Sequence, residues 1–347
     1  MTRRLAGSFI TMAMSLSACS SGGGNTADST GGSSSGAPVG GTARSDGATQ
    51  IAISSSGSHQ NPAWSPDGLN LLFTRWVNGY NTAPADLLIV TLAGLSLRTL
   101  ASDGSANVNL PGSGSTWNGA TRKIVFTSSR DPHDEAWMIG ENGPNGSETQ
   151  ITSRPDKAVF EASLSPDGQT IVFESHGIDV EDNGVIFTFK VDGSGPYTAL
   201  TDSATDSRQP VWSPAGDKIV FQRRGGGQWD IWTMNTDGSG QTNVSNSAAF
   251  DETDPSFSPD GSRIVYSSNE MGGIANIFVV PAAGGASTRV TNFSGYDGAP
   301  SWSPDGAKIA FESSSGDPDG SAGTTLWVIA APTAAAVRLP ALGSTWQ

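Results

Sequence analysis

The chain has almost no cysteine. Cys19 is the only cysteine among 347 residues, so no disulfide can form within one molecule. The folded part must therefore depend on its apolar core. The roughly 300 residues that follow position 48 are enough for one continuous core.

Basic residues are also scarce, because 19 Lys and Arg residues stand against 33 Asp and Glu residues, for a formal net charge of −14. A protein that binds nucleic acid needs a basic face, and electrostatic binding to anionic lipid head groups needs clustered Lys and Arg. The acidic composition therefore argues against nucleic acid as a partner and against electrostatic binding to anionic lipid head groups. The acidic excess is compatible with a basic partner, with bound cations, or with solubility alone.

Signals for catalysis are missing as well. Gly32-Ser33-Ser34-Ser35-Gly36 fits the G-x-S-x-G pattern of serine hydrolases, but it lies in a low-complexity segment without the strand–turn–helix that the pattern requires. After residue 18, no stretch is long and apolar enough to span a bilayer. These absences favour a protein that is not an enzyme but do not decide the question.

What the chain does have is a repeat. An aromatic anchor is followed by Ser-Pro-Asp-Gly or a degenerate form of it, and a second aromatic residue stands nine positions after the anchor. Pro and Gly in this phrase favour a tight turn between two strands. The anchors are Trp64, Trp117, Trp212, Phe257 and Trp302, and Leu164 stands in place of the aromatic residue in the third repeat.

Each repeat supplies four predicted strands over about 45 residues, which is typical of a propeller blade. Six repeats therefore predict a six-bladed β-propeller of four-stranded antiparallel blades over residues 49–347, with the anchors packed between blades. Two segments, Thr49–Ile53 and Val337–Leu339, could both complete the last blade. We predict that Thr49–Ile53 closes the ring and that the C-terminal segment forms an extra edge strand or a tail.

The repeats resemble the WD-like propeller repeats of the TolB family over about residues 49–340, on the strength of Trp64-Ser65-Pro66-Asp67-Gly68 and its copies. The resemblance implies a periplasmic protein associated with the cell envelope. It is informative about the fold and much less so about function, because one fold serves many functions.

The N-terminus resembles an export signal. Arg3 and Arg4 precede an apolar stretch, which predicts a signal peptide over residues 1–18. Leu16-Ser17-Ala18-Cys19 is similar to the bacterial lipobox. This resemblance implies a lipidated Cys19, and Ser20 at the next position implies the outer membrane, on its periplasmic side. Residues 19–48 are rich in Gly and Ser and predict a disordered, flexible tether.

Metal sites are possible on the propeller face that carries the loops between strands 2 and 3 and between strands 4 and 1. Its histidines, His59, His133 and His176, could bind a zinc- or manganese-like ion with nearby acids, or could be solvated loop residues. The segments 179–184 and 317–320 could bind calcium, or could be acidic turns.

The same face carries candidate binding residues, namely Trp76, Tyr80, Arg130 and Trp229. Exposed aromatic residues on a rigid scaffold can bind a protein or stack on a sugar, although each could instead pack locally.

We therefore expect a monomeric, lipid-anchored envelope propeller that is a non-catalytic protein-interaction module, with an unidentified envelope protein as its partner. The alternative is a propeller that binds glycans or peptidoglycan fragments, or a metal-dependent carbohydrate-active propeller.

Overall fold

A computed structural model describes residues 41–333 of the chain, apart from 105–107, 111–115, 132, 179–181, 248, 271–272 and 316–322. The predicted signal peptide, Cys19 and most of the tether lie outside these residues. So do Val337–Leu339, the 317–320 segment and the first three residues of the 179–184 segment.

The described residues form six antiparallel sheets and no helix, and hence none that could cross a bilayer. The predicted six-bladed propeller is confirmed.

The strands of each blade are given in order from its inner to its outer edge. Blade 1 consists of β2 (Ser58–Trp64), β3 (Asn70–Trp76), β4 (Ala85–Thr91) and β5 (Ser96–Ala101). In blade 2, β6 (Val108–Asn109) and β7 (Trp117–Asn118) both pair with β8 (Lys123–Ser128), which is followed by β9 (Glu135–Gly140) and β10 (Thr149–Gln150). Blade 3 consists of β11 (Ala158–Leu164), β12 (Thr170–His176), β13 (Val185–Lys190) and β14 (Thr198–Ala199). Blade 4 consists of β15 (Ser207–Trp212), β16 (Lys218–Gly225), β17 (Gln228–Asn235) and β18 (Thr242–Asn243). Blade 5 consists of β19 (Glu252–Phe257), β20 (Arg263–Ser268), β21 (Asn276–Pro281) and β22 (Thr288–Arg289). Blade 6 consists of β23 (Asp297–Trp302), β24 (Lys308–Ser313), β25 (Thr325–Ala330) and β1 (Thr49–Gln50).

The repeated phrase builds the turn between the first two strands of a blade. In blade 1, the Gly68 N–H donates to the Ser65 carbonyl over 2.8 Å, and the Ser65 hydroxyl accepts the Asn70 N–H over 2.9 Å. Gly68 has a φ of 71°, a conformation that glycine adopts without steric cost. Local backbone geometry therefore determines which residues can occupy this turn.

The anchors pack between blades, as predicted. Trp212 of blade 4 lies in one buried cluster with Val172 and Ile186 of blade 3. Trp302 of blade 6 packs in the same way with Val265 and Ile277 of blade 5. The core is thus a series of apolar layers between neighbouring sheets.

The N-terminal strand closes the ring, which confirms the closure prediction. Thr49 pairs with Val328 and Gln50 pairs with Trp327 in antiparallel register, so β1 is the outer strand of blade 6. The N–H of Ile51 extends the pairing by donating to the Leu326 carbonyl over 2.9 Å.

Residues just before β1 also fold onto the propeller, although the sequence analysis assigned them to the tether. The Arg44 guanidinium makes two hydrogen bonds to the Asp297 carboxylate, of 2.8 and 2.9 Å, and Asp297 is fully buried. The Arg44 guanidinium carbon lies 4.5 Å from the ring centre of Phe293 and 5.1 Å from that of Trp327. A cation from the N-terminal segment therefore neutralises a buried acid of the last blade.

We predict that Arg44→Ala destabilises the propeller by about 3–5 kcal/mol, because it leaves the Asp297 charge buried and unpaired. Urea denaturation of the full chain measures this loss. The matched control is Arg224→Ala, which removes an exposed arginine and should change the free energy of unfolding by less than about 0.5 kcal/mol. Equal stability of the two variants would contradict the role given to Arg44.

Candidate functional site

The two ends of the propeller differ in how closely their connections pack against each other. At one end the turns of neighbouring blades abut. A Cβ added to Gly216 of blade 4 would lie 3.5 Å from Pro166 of blade 3, and one added to Gly306 of blade 6 would lie 3.8 Å from Pro259 of blade 5. The opposite end carries the longer connections between strands, where binding sites on rigid scaffolds tend to lie.

The inner strands line the axis of the propeller, and five of them share one unusual position. At this position a non-glycine residue has a φ of 47–55°, next to a break in the pairing register with the second strand. Such bulges re-aim side chains and often occur beside functional sites. The residues are Asn61, Glu161, Gln209, Asp254 and Ala299; we call them the inner ring.

Backbone N–H groups of the inner strands, beside the axis, donate hydrogen bonds to side chains of the preceding blade. The Asn61 N–H donates to Oε2 of Glu312 over 3.0 Å, and the Gln209 N–H donates to Oε2 of Glu174 over 2.7 Å. Each acceptor is the residue directly after the second aromatic of its blade. Equivalent bonds join Leu110 to Thr74 and Asp254 to Gln222.

Side chains of the inner ring also bond to each other across blades. The Gln209 amide donates to Oδ1 of Asp254 over 2.9 Å, and Oε1 of Gln209 accepts the Asp254 N–H over 2.9 Å. The wall of the axis is therefore polar and cross-linked.

Two tyrosines stand where this polar wall meets the end with the longer connections. Tyr80 comes from the connection between β3 and β4, and Tyr296 from the segment that leads into β23. Their rings meet edge to face with centres 6.3 Å apart. The Tyr80 hydroxyl lies 3.4 Å from Oε1 of Glu312, while 46% of the Tyr80 surface stays exposed. We call Tyr80, Tyr296, Glu312 and Asp254 the channel mouth.

Burial controls the charge of the channel mouth. Burial and the nearby Asp254 together raise the pKa of Glu312 to about 8, against a lowering effect of the Asn61 N–H. Burial likewise raises the pKa of Asp254. Burial of the hydroxyl, beside Glu312, raises the pKa of Tyr80, although other parts of the Tyr80 side chain stay exposed. Below pH 8 Glu312 is therefore mostly protonated, and the mouth is a hydrogen-bonding cluster with reduced negative charge.

The three histidines lie in separate environments. Nε2 of His59 is 2.7 Å from the Ser55 hydroxyl, and burial, with a contribution from Arg75, lowers the pKa of His59 to about 4. His176 stacks on Phe160 with ring centres 4.7 Å apart. His133 is only partly buried.

The predicted metal site gains no support from this geometry. Across the ranges that the structure describes, no group of three or more His, Cys, Asp or Glu side chains is arranged to hold a metal ion.

Two of the aromatic candidates require correction. Trp76 is 3% exposed and Trp229 is 6% exposed, because both belong to strands, β3 and β17, rather than to loops. The β16–β17 connection is only Gly226–Gly227, so Trp229 lies in a strand and not in a loop. Neither tryptophan is an exposed anchor.

Arg130 has a role inside the protein. Its guanidinium carbon lies 5.0 Å from the ring centre of Trp137, and it forms an ion pair of 3.4 Å with the nearly buried Glu148. Tyr80 is the one aromatic of the three candidates that the structure leaves exposed.

The acceptors of the inter-blade bonds and Tyr296 were not among the predicted site residues. A signal for the acceptors was present, since every residue after a second aromatic is polar. These residues are Thr74, Thr127, Glu174, Gln222, Ser267 and Glu312.

Comparison with known proteins gives one family. Residues 43–253 and 240–339 match the family model of the TolB beta propeller domain. No curated protein is significantly similar in sequence.

Solved structures with the same fold include a protein from Agrobacterium tumefaciens assigned as a TolB (20% identity, 80% of this chain and 91% of that chain, TM-score 0.57). TolB from Acinetobacter baumannii is similar at 17% identity over 80% of this chain, which spans 64% of that protein's length, with a TM-score of 0.57. An oligogalacturonate lyase from Vibrio parahaemolyticus is similar at 13% identity over 82% of this chain and 93% of that chain, with a TM-score of 0.53. At these identities the likeness concerns the fold alone.

We predict that Glu312→Gln changes the pH dependence of stability. Because the folded state raises the pKa of Glu312 from its ordinary 4.5 to about 8, the folded state binds the extra proton between these values. The stabilisation from Glu312 is thus full below pH 4.5 and declines as the pH rises to 8, by at most about 1.4 kcal/mol per pH unit. Glutamine cannot ionise, so the variant should gain stability relative to wild type from pH 5 to 8.

Urea denaturation of both proteins at several pH values measures this difference, in which the other titrating acids cancel. A difference in the free energy of unfolding between the two proteins that stays constant from pH 5 to 9 would contradict the raised pKa of Glu312.

Proposed function

Because the chain belongs to the TolB β-propeller domain family, we propose that it is a lipid-anchored protein-interaction module of the cell envelope, with an envelope protein as its partner. The observation that carries the proposal is Tyr80, a large aromatic residue that is 46% exposed at the end of the propeller with the longer connections. Aromatic residues held at the centre of a surface are typical anchors of protein interfaces.

The Tyr80 side chain is pre-organised for such a contact. The edge-to-face packing on Tyr296 and the hydroxyl contact with Glu312 restrict its side chain before a partner arrives. A pre-organised residue loses less conformational entropy on binding.

The surroundings of Tyr80 indicate the chemistry of the partner segment. Asp254 and Gln209 place carboxylate and amide groups on the wall of the axis, close to Glu312, which is mostly protonated below pH 8. These groups suit a polar peptide segment that carries hydrogen-bond donors. The net charge of −14 also favours a basic partner.

The lipid anchor rests on the sequence around Cys19. A lipidated Cys19 would hold the propeller at the outer membrane, on the periplasmic side, through the Gly- and Ser-rich segment that follows. Mass spectrometry of the N-terminal peptide from cell membranes tests this. An unmodified Cys19 in the exported protein would overturn the anchoring.

We predict that Tyr80→Ala weakens capture of the partner from envelope extract at least tenfold when the full chain is the bait, because a central aromatic anchor contributes about 2 kcal/mol or more. The matched control is Leu69→Ala, since Leu69 is 61% exposed but follows the Gly68 turn at the opposite end. A protein lost with Tyr80→Ala and retained with Leu69→Ala would support an interaction module. Equal capture by all three baits would contradict the proposed surface.

A further inference from the structure

A polar cavity lies between blades 3 and 4, away from the channel mouth. Its volume is about 460 Å³, within the range of small-molecule sites. It forms where the chain leaves blade 3 after β14 and passes the outer part of blade 4. The lining includes Leu200, Thr201, Asp202, Thr205, Arg223 and Gln241.

Arg223 is held firmly at this cavity. Its guanidinium carbon lies 5.0 Å from the ring centres of both Phe221 and Trp232. Its Nε donates to the Ser207 hydroxyl over 3.1 Å, and its Nη1 donates to Oε1 of Gln241 over 2.7 Å. The cation is therefore fixed in one orientation at the cavity wall.

Blade 2 contains a similar arrangement, although its arginine stands four residues after the second aromatic of the blade, whereas Arg223 stands two residues after it. There Arg130 lies over Phe126 and Trp137, which occupy the places of Phe221 and Trp232. The residue directly before the fourth strand of blade 2 is Glu148, and it pairs with Arg130. In blade 4 the residue directly before the fourth strand is Gln241, which is neutral.

Arg223 thus lacks the carboxylate that its counterpart has. In the part of the chain that the structure describes, no carboxylate lies within ion-pair distance of Arg223. Asp202 lines the same cavity and acts on Arg223 only from a greater distance. Burial of the guanidinium accordingly lowers the pKa of Arg223, although Asp202 opposes this effect.

We propose that this cavity binds a small molecule through a carboxylate group, which lies against the Arg223 guanidinium beside Gln241 and supplies the negative charge that Glu148 supplies to Arg130. The planar guanidinium matches a carboxylate well. A single positive charge with Asp202 nearby suits a monoanion better than a phosphate dianion. The hydroxyls of Thr201 and Thr205 on the wall favour a ligand with further polar groups. This site is independent of the channel mouth.

An NMR titration of the full chain tests the proposal with two probes. N-acetylglycine represents a peptide-type carboxylate, and glucuronate represents a sugar acid. The reporter is the indole N–H resonance of Trp232, whose ring lies against Arg223 and which is assigned with Trp232→Phe. For ligands of this size we expect saturable shifts with dissociation constants on the order of 1–10 mM. The probe that binds more tightly identifies the source of the carboxylate.

Three variants make the test specific. Gln241→Glu installs the blade 2 ion pair, so it should weaken binding at least tenfold while the protein stays folded and no less stable. Arg223→Gln should abolish binding. Asp202→Asn removes the opposing charge and should tighten binding severalfold.

Saturable binding that responds in this way supports the carboxylate site. The proposal is overturned if neither probe binds at about ten times the expected dissociation constants, or if Gln241→Glu binds as well as wild type.

Discussion

The fold depends on one hydrogen bond that is repeated from blade to blade. The side chain after the second aromatic of a blade accepts the backbone N–H of the inner strand of the next blade, as Glu312 does for Asn61 and Glu174 does for Gln209. At these bulges the N–H has left its own sheet, and a buried N–H without a partner would cost about 1–3 kcal/mol. The positive φ of residues such as Gln209 and Asp254 adds strain, which the neighbouring blade offsets. Each blade therefore needs the one before it, and the ring must close.

Closure explains why the chain continues upstream of the first blade. β1 pairs with β25 of blade 6, and Arg44 neutralises the buried Asp297 of the same blade. The first and last parts of the folded chain are thus joined both by strand pairing and by an ion pair. The Pro–Gly contacts pack one end of the ring, and the exposed Tyr80 lies at the other end.

Local turn chemistry made the blades predictable. The Ser-Pro-Asp-Gly phrase sets a specific turn, and its spacing counts the blades before any contact is known. The site was less predictable because it consists of residues far apart in sequence. Tyr80, Tyr296 and Glu312 meet only once the ring is closed. Trp76 and Trp229 looked like loop residues since strand ends cannot be located closely from sequence; β3 and β17 include these positions, and both side chains are buried. The environment of Arg223 was not predictable either, because Arg223, Trp232 and Gln241 meet only in the folded sheet.

Native-state hydrogen exchange tests the inter-blade bonds most directly. If they hold the ring together, the amides of Asn61, Gln209 and Asp254 should exchange only through global unfolding, with the same free energy as amides in the centres of the sheets. An exposed turn amide such as that of Ala307, which is bonded only to its own turn at Asp305, should exchange through local opening. Exchange of the three inner-strand amides at free energies well below that of global unfolding would contradict the account.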